Sequence, residues 1–277
     1  MPAATDTCTD AVGARGLSRE EMEAAALEGR QVGTGLDEET AARLLRQSEL
    51  TVVGRMLSAS NATFYAIVGE PGPEGELGPA VSCVYKPQAG ERPLVDFPDG
   101  TLAAREVAAY EVSRASGWEI VPPTVLRDGP LGPGMVQLWV EAEESDDPGL
   151  LPESDDPALR RVAILDAVLN NADRKGGHLL RLADGRVMAI DNGLCFAVSP
   201  KLRTILWQWR GLPLDKAEVA MLTALRADLD GALGERLREI LDESEVEATA
   251  KRVDQLLADS RFPLPDTRRP VVPWPPF

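Results

Sequence analysis

The segment "NNADRKGGHLLRLADGRVMAIDNGLCF" (residues 170–196) decides how this chain is read. It gathers Asp173, Arg174, Lys175 and Asp191 around His178, the single histidine of the sequence. Two β-prone runs, "HLLRL" and "RVMAID", flank the turn "ADG", and this pattern predicts a short hairpin. The hairpin would return Asp191, at the end of its second strand, toward Asp173, which follows a helix. Two acids and an imidazole brought together in this way suit phosphoryl transfer. One carboxylate accepts or orients a hydroxyl proton, while the other, with the neighbour five residues after the first acid, holds the divalent cations that bridge phosphates. Without the hairpin and Asp191, "ADRKGG" would read as a solvated turn.

Upstream, "ALRRVAILDAVLNN" (158–171) has the spacing of an amphipathic helix leading into this segment. Earlier still, "LTVVGRML" (50–57), "TFYAIVGE" (63–70) and "AVSCVYKP" (80–87) are β-rich and separated by turn-forming stretches, which predicts a three-stranded meander. "TLAAREVAAYEVSRASG" (101–117) then reads as a helix stopped by Gly117, and "MVQLWVE" (135–141) as a further strand. Period-two alternation sets Lys86 on the face of Val84 and Ser82, opposite Val81, Cys83 and Tyr85. On the following helix, Glu106 is the one charge in the stripe Leu102, Glu106, Ala109 and Ser113, whereas Glu111, with Arg114 at i+3, reads as solvated. A Lys86–Glu106 ion pair follows, holding a lysine ready for an anionic ligand such as a nucleotide phosphate. Ser58, Ser60 and Asn61, between the first two strands, offer donors to phosphate or simply form a tight turn.

Composition narrows the function classes. The 277 residues carry a formal net charge of -16, which disfavours diffuse attraction to nucleic acid or to an anionic membrane. There is no long apolar run, so no membrane insertion is expected, and three scattered cysteines point to a reducing cytoplasm. Residues 1–48 are expected to be an extension, disordered at first and helical over 17–30 and 37–48. An N-lobe with hinge (49–142), a C-lobe with the catalytic loop (143–263) and a Pro-rich surface tail (264–277) follow, with the acidic stretch 143–157 as a linker. The fold class is α+β, β-rich first and mostly helical afterward.

"NNADRKGGHLL" followed by "MAIDNGLCF", together with "VYKP", "REVAAYEVS", "VPPTVL" and "VQLWVE" in that order, resembles phosphatidylinositol 3/4-kinase-related proteins. The likeness spans residues 50–210 and lies toward the bacterial kinase-like branch that resembles type II phosphatidylinositol 4-kinases. It implies a protein-kinase-like bilobal fold with ATP between the lobes and Mg or Mn as the metal. By resemblance, Lys86 contacts nucleotide phosphates, Glu106 positions that lysine, and the Ser58, Ser60 and Asn61 hairpin covers the phosphates. Main-chain groups at Trp139, Val140 and Glu141 read adenine. Asp173, with Arg174 beside it, is the catalytic acid, and Asp191 and His178 hold metal.

Two departures stand out. Position 178 is His where the family more often has Asn, and the phosphate loop has no G-x-G-x-x-G run. Lys201, Arg203 and Arg210 are candidates to line an anionic acceptor site, and Trp207 and Trp209 are expected to pack on the C-lobe. The expected activity is transfer from ATP to a hydroxyl of a soluble protein or small molecule. A nucleotide-binding pseudokinase, an adenylyltransferase and a phosphoinositide kinase remain as alternatives.

Overall fold

The computed structural model describes residues 16–17, 37–56, 59, 61–71, 77–143 and 155–276. The chain divides into two compact units, Met1–Val107 with Pro123–Trp139, and Ala108–Pro122 with Val140–Phe277.

Alternating apolar runs make the first unit a sheet. Its elements are β1 (Gly16–Leu17), α1 (Glu38–Gln47), β2 (Glu49–Met56), β3 (Phe64–Pro71), β4 (Leu77–Pro87), β5 (Thr124–Gly129) and β6 (Gly132–Leu138). The strand order is β1-β2-β3-β4-β6-β5, with β1 parallel to β2 and every other pair antiparallel. Along β4, Val81, Cys83 and Tyr85 are buried while Ser82, Val84 and Lys86 are half-buried, so the alternation read from sequence holds. The buried face packs on Phe64, Ala66, Val68 and Val136 and on Leu44 and Leu45 of α1. Each of those two leucines is fully buried, a contribution of about 1.5–3 kcal/mol apiece. Asp37 caps α1 by accepting from the Thr40 amide at 2.7 Å, and Arg127 of β5 donates to the carbonyls of Leu45 and Ser48 at its other end.

Three expectations change here. Leu17 belongs to a strand, pairing with Met56, and the remainder of the 17–30 helix lies outside the described residues. β5 escaped the sequence reading because "TVLRDG" is short and mixes charge with apolar residues. Pairing in β6 stops at Leu138, so Trp139–Glu141 lie beyond the strand. Gly134 of β6 serves a close approach, since a Cβ there would sit 2.4 Å from the Lys86 carbonyl oxygen.

The helix α2 (Leu102–Ala115) begins in the first unit, and the division falls within it, after Val107. Gly117, at φ +70°, supplies the left-handed turn that ends this stretch.

The second unit is helical around one small hairpin: α3 (Pro157–Leu169), β7 (Leu179–Arg181), β8 (Val187–Ala189), α4 (Lys216–Leu229), α5 (Ala232–Arg238) and α6 (Glu243–Asp259). Its core joins Leu159, Leu165 and Leu169 of α3 to Phe196, Trp209, Leu222, Leu225, Val253 and Leu256. α3 starts at the capping Asp156 with Pro157 in its first turn, and ends at Asn170 in the left-handed conformation, φ +54°. It is more deeply set than an amphipathic helix, because every residue from Val162 to Leu169 is buried, Asp166 included. α4 and α6 each open with a capping box, Asp215 with Glu218 and Asp242 with Glu245.

Glu111 also departs from expectation. It is 8% exposed, because Arg236 of α5 closes on it at 3.0 Å while Arg114 holds it at 2.9 Å. The linker residues 144–154 lie outside the described residues. No helix among the described residues is long and apolar enough to cross a membrane.

Candidate active site

In the first unit, β4 delivers Lys86 and α2 delivers Glu106. Lys86 Nζ donates to Glu106 Oε1 at 2.6 Å, with the lysine side chain 21% exposed and the glutamate 2%. A buried acid therefore holds a lysine that still reaches solvent, the disposition needed to present a cation to an anionic ligand. Asn61 accepts from the Arg92 amide at 3.1 Å, and the Ala62 amide donates to the Gly90 carbonyl at 3.1 Å. The end of the β2–β3 connection is thereby fastened to the turn that follows Lys86. Ser58 and Ser60 lie outside the described residues. Trp139 stands edge-on to Tyr65, ring centroids 5.3 Å apart, and its amide donates to the Ser82 carbonyl. Val140 and Glu141 continue from it in irregular backbone.

In the second unit the loop after α3 presents Asp173, and β8 leads into Asp191. The Asp173 side chain is 27% exposed and its carboxylate lies 3.3 Å from Lys175 Nζ. Burial pushes the Asp173 carboxyl up, Lys175 pulls against that, and the Asp191 charge adds to the rise. Asp191 is 51% exposed and its Oδ2 lies 3.4 Å from His178 Nε2. Its φ of +57° is uncommon for a residue with a side chain, and Asp is among those that tolerate it. The expected hairpin thus sets His178 beside Asp191 and brings Asp191 within electrostatic reach of Asp173.

Arg174 requires a correction. It is fully buried, and its guanidinium is spent on Asp166, the Ile190 carbonyl and Asn192. A cation so enclosed braces the loop from within and does not reach a substrate.

Among the described residues no three His, Cys, Asp or Glu side chains gather into a cation cage. A partly exposed carboxylate beside an imidazole, Asp191 with His178, fits a metal that arrives with phosphates, since Mg²⁺ keeps waters and takes only one or two carboxylates from protein. Asp191 would supply a hard oxygen, and His178 a nitrogen more compatible with Mn²⁺.

Of the acceptor-site candidates, Arg203 lies beside the loop: its amide donates to the Asn171 carbonyl, and its carbonyl accepts from the Arg174 amide. The Lys201 amide donates to Asn170 Oδ1, whereas Arg210 is exposed and donates to the Trp207 carbonyl. Trp209 is buried, as expected, and its indole donates to Asp155. Residues 264–276 of the tail are fastened more closely than a surface strand need be. The Val271 carbonyl accepts from the Thr204 amide and the Trp207 indole, and the Pro276 carbonyl accepts from the Gly176 amide. Sequence reasoning missed these contacts, and it missed Asp166, Asn171, Asn192 and Thr204. Lys175 stood inside the quoted segment without being given a role.

A β-sheet unit followed by a mostly helical one, with a strand lysine paired to a glutamate of the next helix, is the class of architecture found in protein-kinase-like folds. No family model matches the sequence. Protein Rv2133c of Mycobacterium tuberculosis is 44% identical, over 84% of this chain and 94% of that protein, and this chain belongs to its family. Phosphatidylinositol 4-kinase gamma 4 of Oryza sativa subsp. japonica is 31% identical over 48% of this chain, a match that spans only 28% of the rice protein. More distant likenesses among solved structures include hydra Fam20 with sugar, which is 15% identical with a TM-score of 0.45 over 92% of this chain and 93% of that one. The Golgi casein kinase is 13% identical with a TM-score of 0.49, over 91% of this chain and 82% of that one.

Proposed function

We propose that this protein is an ATP-dependent phosphotransferase acting on a hydroxyl group of a soluble protein or small molecule. The observation that carries the reading is the Lys86–Glu106 pair, a 2.6 Å contact between a buried acid and a partly exposed lysine. Glu106 fixes the ammonium of a lysine whose side chain is still partly exposed, where nucleotide phosphates could reach it. Asp173, its carboxyl pushed up by burial, is suited to accept the proton of the attacking hydroxyl. Lys175, ion-paired with Asp173, holds positive charge beside that carboxylate. Asp191 and His178 would hold the divalent cation, which neutralises phosphate charge when bound.

The partial match to a rice protein named as a phosphatidylinositol 4-kinase supports a kinase reading and leaves the acceptor open. The test is transfer of label from ATP by purified protein with Mg²⁺ or Mn²⁺. Label from the γ-phosphate, lost in Asp173→Ala with nucleotide binding intact, is the expected result. Label retained only from the α-phosphate would make the protein an adenylyltransferase. Nucleotide-dependent thermal stabilisation with no transfer would make it a pseudokinase, and transfer to phosphoinositide vesicles alone would move the acceptor to lipid.

A further inference from the structure

We infer that Asp166, a buried carboxylate in the middle of α3, is a positioning residue that locks Asp173 and Asp191 into one geometry through Arg174. The inference rests on the phosphotransferase reading for its catalytic meaning, and on the following contacts for its physical content.

Asp166 and Arg174 are both fully buried, joined at 3.0 Å. Asp166 Oδ1 accepts from Arg174 Nη2 at 3.0 Å, from Arg174 Nε at 3.1 Å and from Asn171 Nδ2 at 3.1 Å. Its Oδ2 accepts from Arg174 Nε and from Thr204 Oγ1, each at 3.2 Å. One carboxylate thus engages two residues of the loop after α3, Asn171 and Arg174, and one of the 204 segment.

From there the contacts run outward to both acids. Asn171 Oδ1 accepts from the Asp173 amide at 2.9 Å, which fixes the backbone on the loop side. Arg174 Nη1 donates to the Ile190 carbonyl at 2.7 Å, and Nη2 donates to Asn192 Oδ1 at 2.6 Å. Those two contacts grip the residues immediately before and after Asp191, which is held at a positive φ that its side chain disfavours. Asn192 is held in turn by donating to the Ala189 carbonyl at 3.0 Å. The planar guanidinium spreads its donors over Nε, Nη1 and Nη2 to a carboxylate, a carbonyl and an amide oxygen, and a lysine in its place would supply a single point charge without that span.

A fully buried ion pair is weak grounds for stability, because desolvation offsets the attraction and apolar replacements of like volume are often tolerated. What this pair supplies beyond stability is a fixed spacing between two acids that come from different turns of the chain. Misplacement by about 1 Å at a reacting centre costs on the order of 100-fold in rate.

The experiment pairs Arg174→Lys with the apolar double variant Asp166→Leu/Arg174→Met, read by steady-state kinetics and by amide hydrogen exchange. In whichever folds cooperatively, kcat should fall about 100-fold while the nucleotide KM moves by less than about threefold. Exchange at the Asp173 amide should quicken in the same protein. A folded variant that keeps wild-type kcat, or wild-type exchange at Asp173, would overturn the inference. Wild-type protein that transfers nothing would instead overturn the phosphotransferase reading, and the exchange result would still decide whether Asp166 positions the loop.

Discussion

Two ion pairs of this protein, each a carboxylate with a basic side chain, differ in kind. Lys86–Glu106 joins a partly exposed lysine to a buried acid, while Asp166–Arg174 has both partners sealed from water. In the first, the cation keeps an exposed side and can exchange water for a ligand. In the second, every direction is filled by protein, and the cation can only hold. A pair with one wet partner is suited to binding and a pair with none is suited to positioning, because desolvation makes the second costly to disturb and leaves it nothing further to contact.

Breaking each pair on one side separates the two roles. Asp166→Asn leaves a buried guanidinium without its counter-charge and should cost about 3–5 kcal/mol, read as a lowered urea midpoint. If its stability matched wild type, the sealed pair would have to be solvated in solution. Lys86→Met, by contrast, takes away a partly exposed cation and leaves Glu106 buried without it, so the midpoint should fall by less than in Asp166→Asn, where both partners are sealed. Transfer from ATP should nonetheless fall by about 100- to 1,000-fold, the range seen when one donor to a developing charge is removed. Unchanged transfer would take Lys86 out of the site.

The comparison also shows which parts of the site were legible. Lys86 and Glu106 were readable because alternation along a strand and a helical stripe each assign a side chain to a face, and the two elements are adjacent in sequence. Asp173 and Asp191 were readable because a short hairpin brings them together. Asp166 carried no such signal, since one polar residue inside "VAILDAVL" looks like an interruption until its partner is located in space. Glu111 was misread as solvated for a related reason: its second cation, Arg236, lies 125 residues away. The tail contacts use main-chain carbonyls of Val271 and Pro276, and such acceptors leave no mark on residue type. α+β character was legible throughout, because it rests on periodicity within elements rather than on contacts between them.

The tail offers a third and milder comparison. Trp207 Nε1 donates to the Val271 carbonyl at 2.9 Å, in a half-buried setting. Trp207→Phe keeps most of the ring area and removes that donor, so it should cost about 1 kcal/mol. Faster exchange at the Thr204 and Gly176 amides, which donate to the same tail, would show that the tail loosens as a unit. Exchange unaltered at both would mean that the tail holds without the indole.

The smallest effect sharpens the contrast by titration. Asp156 caps α3, accepting from the Ala158 amide at 2.7 Å, and also pairs with Arg181 of β7. Burial works to raise its carboxyl, but the Arg181 and Ala158 contacts outweigh it and hold the group below its ordinary value of 3.8. A carboxyl depressed on folding stabilises the protein above its unfolded value, and that stabilisation fades as pH falls through the folded one. Wild type should therefore lose part of its stability below about pH 4, where this carboxylate begins to protonate in the unfolded chain. Asp156→Asn keeps a good helix cap and loses only the charge. Its deficit against wild type should be no more than about 1 kcal/mol at pH 7 and should shrink steadily toward pH 3 in urea melts run in parallel. A deficit that stayed constant across that range would assign the contribution of Asp156 to geometry rather than charge. The Asp166–Arg174 pair, with no exposed side to release, would then be distinguished from it by burial alone.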